Sequence, residues 1–141
     1  MKKLLLILFI LFKVTDICYC DTVNSYDRYG NRTGSYRTSG STTTSYDEHG
    51  NRTGSFKTDS KGNTTQYDRY GNRIGTFKTG SSGTTTFYDK YGNRTGTYKT
   101  NSNGVTTSYD KHGNRTGSFK KDSSGRITEY DKHGNRIRSY R

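Results

Sequence analysis

One thirteen-residue phrase recurs six times along the chain, with departures in the last two copies: Tyr-Asp-x-(Tyr/His)-Gly-Asn-Arg-x-Gly-(Ser/Thr)-(Tyr/Phe)-(Lys/Arg)-Thr. It begins at Tyr26, Tyr46, Tyr67, Tyr88, Tyr109 and Tyr130, so the first step is 20 residues and the other four are 21. A fixed period in this range marks a repeat architecture, in which each unit is one supersecondary piece supported by its neighbours. The repeat therefore constrains the fold more than any local propensity does.

Each unit reads as two short strands and two turns. From Tyr67, Asp68-Arg69-Tyr70-Gly71 is a type I turn with Asp first and Gly fourth, where a left-handed backbone favours Gly. Arg73 to Thr79 is a strand signal, Gly80-Ser81-Ser82-Gly83 a second turn, and Thr84 to Tyr88 a second strand, β-branched and aromatic. The short first unit loses its residue at Thr38-Ser39-Gly40-Ser41, in the second turn. Turns absorb such deletions, whereas a one-residue slip inside a strand would flip every side chain to the other face. No stretch has helical periodicity.

An odd period sits badly with side chains that alternate every two residues. Either the two turns differ in parity or each unit contains a β-bulge. The turns favour an elongated antiparallel meander of tandem hairpins. A parallel β-solenoid, with Tyr46, Tyr67, Tyr88 and Tyr109 stacked in a ladder, is the alternative. The expected fold class is all-β.

At 141 residues the chain has room for one domain, and only 26% of it is hydrophobic. Beyond residue 20 the aliphatic residues are Val23, Ile74, Val105, Ile127 and Ile137, too few for an ordinary two-layer core. Tyr and Phe at fixed repeat positions must supply the core instead. Low hydrophobicity with high charge is also the signature of disorder. A lone unit buries too little to offset its ordering entropy, so only an array of units can be stable.

Met1-Lys2-Lys3 and the apolar run Leu4–Phe12 form the basic and hydrophobic regions of a secretory signal peptide. Nine apolar residues are too few to span a bilayer. Cleavage is expected after Cys20, which gives a signal peptide at 1–20, a short linker at 21–25 and six repeats at 26–141. Lipidation at Cys20 is the weaker reading, because bulky Tyr19 precedes the acceptor. The mature chain would be cysteine-free, without a transmembrane span, and secreted, periplasmic or at the cell surface. Loss of Lys2, Lys3, Lys13 and Asp16 takes the net charge from +12 to +10.

That charge favours anionic partners, and export disfavours nucleic acid among them. Each unit carries a cation at its seventh position (Arg32, Arg52, Arg73, Arg94, Arg115, Arg136) and an aromatic at its eleventh (Tyr36, Phe56, Phe77, Tyr98, Phe119, Tyr140). Strand alternation puts these on one face as an Arg–aromatic stripe, the candidate ligand-contact surface. The twelfth-position cations (Arg37, Lys57, Lys78, Lys99, Lys120, Arg141) then form a second stripe on the opposite face. An anionic polysaccharide or another envelope component is the partner such rows suit. Arg paired with Asp, and rings packed on one another, would explain the same residues structurally.

The remaining residues point away from chemistry. His49, His112 and His133 alternate with Tyr29, Tyr70 and Tyr91 at the fourth position, where a flat polar ring in a turn is the simpler reading than metal binding. Asp27, Asp47, Asp68, Asp89, Asp110 and Asp131 are expected as turn formers paired with the following Arg. Asn31, Asn51, Asn63, Asn93 and Asn114 match the N-glycosylation pattern. No nucleophile–base or phosphate-loop spacing emerges, so neither catalysis, cofactor nor metal is expected. An array using the Thr runs at 42–44 and 84–86 to bind ice or another surface is a third option, weakened by their irregular recurrence.

At Thr84-Thr85-Thr86-Phe87-Tyr88-Asp89-Lys90-Tyr91-Gly92-Asn93-Arg94 the chain resembles the YD repeats of the Rhs and teneurin families. The resemblance covers residues 26–141. It implies β-hairpin strips, which in long members coil into shells that enclose a toxin or present an adhesive surface. Thr65, Thr86 and Thr107 stand where the family often has a second Tyr. Six units are too few for such a shell, so a short array without a toxin domain is expected. The overall expectation is an exported repeat protein with a structural or surface-interaction role at the cell envelope, or alternatively a cationic carbohydrate- or polyanion-binding module.

Overall fold

A computed structural model describes residues 21–141. The segment expected as a signal peptide and both cysteines lie outside the described residues. Twelve strands follow one another: β1 (Asp21–Asp27), β2 (Arg32–Ser39), β3 (Thr42–Asp47), β4 (Arg52–Thr58), β5 (Thr64–Asp68), β6 (Arg73–Thr79), β7 (Thr84–Asp89), β8 (Arg94–Thr100), β9 (Val105–Asp110), β10 (Arg115–Lys121), β11 (Ile127–Asp131) and β12 (Arg136–Tyr140). Each pairs antiparallel with its neighbours in sequence, which sets aside the parallel solenoid. Residues 21–25, expected as a linker, instead form most of β1 and pair with β2. No helix among the described residues is long and apolar enough to cross a membrane.

The meander curls until β12 meets β1, giving a closed barrel. At the seam Ser25 faces Tyr140, Tyr26 faces Ser139 and Asp27 faces Arg138. Ser45, Tyr46 and Asp47 face Tyr36, Ser35 and Gly34 in the same relation at the junction of the first and second units. The sixth unit therefore docks on the first as any unit docks on the next, and the ring is pseudo-sixfold. Closure leaves no edge strand open to other chains among the described residues.

The odd period is resolved by a bulge in every unit. In the third unit Gln66 faces Gly75 while Tyr67 faces Arg73, so Ile74 is an extra residue on β6. The same shift occurs in the other five units. Twenty-one residues thus count as an even number of alternations, and every unit presents the same faces. In the short first unit Ser39 pairs with Thr42, so the second turn is a two-residue connection. In the second unit Thr58 pairs with Thr64 around a longer turn.

The bulge explains the ninth-position glycine. A Cβ on Gly96 would sit 2.6 Å from the Tyr109 carbonyl oxygen, and one on Gly117 would sit 2.6 Å from that of Tyr130. Backbone must move to admit it. Gly96→Ala is expected to lower stability by about 1–3 kcal/mol in urea denaturation. An unchanged midpoint would mean that the strands are not held as closely as their register implies.

The eleventh-position rings fill the interior. Phe56, Phe77, Tyr98, Phe119 and Tyr140 are buried, with Tyr36 packed against them. Twelve strands enclose more space than the eight that ordinary side chains fill, and a layer of six rings suits that width. Phe77 and Phe87 stack at 4.2 Å. Towards the end bearing the second turns, threonine hydroxyls satisfy one another: Thr38–Thr43 at 2.7 Å, Thr58–Thr64 at 2.9 Å, Thr79–Thr85 at 2.8 Å and Thr100–Thr106 at 2.8 Å. In the fifth unit Lys121 faces Ile127 instead.

Candidate functional site

Because strands alternate in direction, all six Asp-x-(Tyr/His)-Gly turns lie at one rim. Each Asp clamps its own turn. Asp68 Oδ1 accepts the backbone N–H groups of Tyr70 and Asn72 at 2.8 Å each, and Oδ2 accepts the Asn72 side-chain amide at 2.9 Å. The amide bond, reinforced by the backbone N–H groups, holds the carboxyl below its ordinary pKa, as in the other five copies. The expected pairing of these aspartates with the following Arg does not form, since the turn itself supplies the partner. Nδ2 of the sequon residues Asn31, Asn51, Asn63, Asn93 and Asn114 is held in the same way.

With the Asp and Asn occupied, the two central turn residues project into solvent. Tyr29, Tyr70 and Tyr91 are 74%, 73% and 77% exposed. His49, His112 and His133 occupy the same place in the other three turns and are also exposed. The preceding position carries Arg28, Arg69, Lys90, Lys111 and Lys132, with Glu48 the exception. Arg28 and Arg69 lie 4.6 Å from the centres of the Tyr29 and Tyr70 rings, and Lys90 lies 4.8 Å from that of Tyr91. The rim is a crown of six flat side chains and five cations. The opposite rim, built from turns such as Ser81-Ser82-Gly83 and Ser123-Ser124-Gly125, carries no aromatic ring in its turns and mixes Lys61, Lys121 and Arg126 with Asp59 and Asp122.

The expected Arg–aromatic stripe is corrected by the bulge. Positions seven and eleven would share a face in a regular strand, but the extra residue between them reverses the parity. Arg32, Arg52, Arg73, Arg94, Arg115 and Arg136 are exposed on the outer wall, whereas the eleventh-position rings point inward. Arg73 donates to Thr76 Oγ1 at 3.0 Å, and Arg52, Arg115 and Arg136 donate to the serine at the same place in their units at 3.2 Å. The twelfth-position cations share the outer wall, lying over first-position rings of the next unit: Arg37 over Tyr46 at 5.9 Å, Lys78 over Tyr88 at 5.5 Å, Lys99 over Tyr109 at 5.8 Å and, across the seam, Arg141 over Tyr26 at 4.5 Å. Both rows of cations therefore lie outside, and the aromatics beside them are the repeat-initiating tyrosines.

The barrel interior holds a second feature that the repeat does not announce. The inward position before each Tyr-Asp pair varies: Ser25, Ser45, Gln66, Phe87, Ser108 and Glu129. Arg138 replaces the ninth glycine of the sixth unit and faces Glu129 across β11 and β12. Burial pushes the Glu129 carboxyl up to about 7, partly opposed by the Arg138 guanidinium. Burial also raises the Tyr36, Tyr98 and Tyr140 hydroxyls above their ordinary range. Among the described residues, Glu129 Oε2, Arg138 Nε and Tyr140 Oη are buried with no partner at full hydrogen-bond geometry, although Tyr140 lies near enough to both charged groups to act on them. Beside Glu129 lies a cavity of about 130 Å³ lined by Phe87, Tyr98, Ser108 and Phe119. Sequence reasoning missed both charged residues, although each breaks a position that the other units keep uncharged.

Fold and sites together define a closed antiparallel barrel of six hairpin repeats with one aromatic, cationic rim. No protein-family model matches the chain, and no curated protein matches it in sequence.

Proposed function

We propose that the protein is an exported, non-catalytic interaction protein of the cell envelope, a short YD-like repeat array that engages an anionic polysaccharide through its crown. The observation that carries this reading is the concentration of six exposed rings and five cations on one rim, while the turns of the opposite rim hold no rings and charges of both signs. Rings stack on sugar faces while cations meet carboxylates or sulfates, and a sixfold circle offers these contacts in every orientation of a repeating polymer. Cation rows on the outer wall add a long-range pull on the same partner. The residues that would direct export are the basic and apolar stretch before Cys20.

Binding to immobilised heparin, a sulfated polysaccharide, tests the crown against bulk charge. Arg69→Glu combined with Lys90→Glu is expected to weaken binding at about 0.15 M salt by tenfold or more. Lys61→Glu combined with Lys121→Glu, the same change in charge away from the crown, should have a clearly smaller effect. Equal losses from the two pairs would reduce the interaction to net charge and remove the crown as its site.

A further inference from the structure

We infer that the cavity beside Glu129 is a binding site for a small organic cation of the alkylammonium class, caged by Phe87, Tyr98 and Phe119 and neutralised by Glu129. The inference does not depend on the crown or on any polysaccharide.

Three observations lead to it. The first is the lining: three inward rings from β7, β8 and β10 meet one carboxylate from β11, and among the described residues no Lys or Arg lines the cavity. Ring faces carry negative electrostatic potential, so several rings around one point attract a cation whose diffuse charge is weakly hydrated. The second is the carboxylate itself. Glu129 lines the cavity, and its Oε2 is buried with no partner at full hydrogen-bond geometry among the described residues; Tyr140 and Arg138, which act on the carboxyl, are not part of the lining.

The third is the origin of the cage. In the variable inward layer, Phe87 and Glu129 are the aromatic and the acidic member, and they flank Ser108 in neighbouring units. The small Ser108, with Gly96 and Gly117 at the ninth positions, leaves the space between them open. Ring symmetry is thus broken in one sector, where bulk and charge change together. The size fits as well: about 130 Å³ is close to the roughly 150 Å³ of an engineered apolar cavity that holds benzene, which corresponds to about five to seven heavy atoms.

Tetramethylammonium is the probe, titrated at pH 8, where the carboxyl is ionised, at constant ionic strength and followed by the proton shift of its methyl groups. Saturable binding with an upfield shift is expected, since the methyls would lie over ring faces. tert-Butyl alcohol, neutral and of similar shape, should bind at least about tenfold more weakly. The strongly cationic outer wall repels the probe, so selectivity of this sign is not expected from net surface charge. Glu129→Gln should weaken binding by about tenfold or more. Phe87→Ser, which installs the residue found at Ser25, Ser45 and Ser108, should do the same and keeps the inference testable if the first variant folds poorly. Equal binding of the alcohol, no saturation below about 100 mM, or full binding by a folded Phe87→Ser variant would each overturn it.

Discussion

A chain ending at Asn135 is expected to lose its fold altogether. The deletion removes β12, whose Tyr140 is 3% exposed and faces Ile127, itself 1% exposed. Loss of one buried aromatic costs about 3–5 kcal/mol. Both strands flanking the seam also lose their partners, including the paired backbone bonds between Asn24 and Arg141 at 2.8 and 3.0 Å. At about 0.5–1.5 kcal/mol per net hydrogen bond, the combined loss reaches the 5–15 kcal/mol that stabilises a typical domain. The new edges on β1 and β11 would favour association with other chains. Circular dichroism and limited proteolysis read the result: a coil-like spectrum and rapid digestion are expected. A cooperative melt within a few degrees of the parent would mean that the open meander is stable and that closure adds nothing.

The same geometry gives a complementary expectation for a chain that is rejoined. Arg141 and Asp21 occupy the places that Arg37 and Ser41 hold at the first junction, where Thr-Ser-Gly connects them. Joining Arg141 to Asp21 through Thr-Ser-Gly and opening the chain between Ser81 and Ser82 should therefore give a folded barrel. The loss of stability should be no more than about 1–2 kcal/mol, because one short loop closure replaces another of similar length. An unfolded permutant would show that the β12–β1 seam is not equivalent to the other five junctions.

What the chain reveals at a glance is local. Asp68-x-x-Gly71 and Gly80-x-x-Gly83 identify the two turns, Thr84–Thr86 and Phe87 a strand, and the one-residue deletion near Gly40 shows which turn tolerates change. The period of 21 narrows the parity problem to two solutions, of which the bulge at Thr33, Ile74 and Thr116 is the one adopted. Closure was not legible in this way. It depends on how far each twisted hairpin turns relative to the last, a quantity spread over many backbone angles and matched to the width of six rings. The side-chain faces of Arg73 and Phe77 were misassigned for a sharper reason. Alternation is a parity rule, and one extra residue between them reverses it. Likewise Asp68 takes Asn72 as its partner because the turn brings that amide to 2.9 Å, which frees Arg73 for Thr76. Glu129 and Arg138 escaped notice because repetition draws attention to what recurs, whereas a unique site is built from what does not.

Glu129 should also give the barrel an acid-shifted stability optimum. Its carboxyl titrates near 7 in the folded protein, against an ordinary value of 4.5, because burial disfavours the charged form more than Arg138 favours it. Between these values the folded state holds a proton that the unfolded chain has released, so stability falls as pH rises from 4.5 to about 7 and then levels off. A shift of this size corresponds to at most about 3 kcal/mol between pH 5 and pH 8. The crown aspartates act in the opposite sense: their carboxyls lie below 3.8 when folded, so their contribution is present above that pH and disappears as the solution becomes more acidic. Maximum stability is thus expected near pH 4–5, whereas most proteins peak between about 5 and 8. Among the described residues, Arg138, Tyr36, Tyr98 and Tyr140 are the other ionisable groups that interact with this carboxyl. Of these, Arg138 is the one charged across the range, and it reduces the slope without reversing it. Urea denaturation at pH 5 and pH 8 measures the difference, and Glu129→Gln should abolish most of it by raising stability at pH 8 to near the pH 5 value. A parent protein equally stable at both pH values would mean that Arg138 keeps the carboxylate ionised despite its burial.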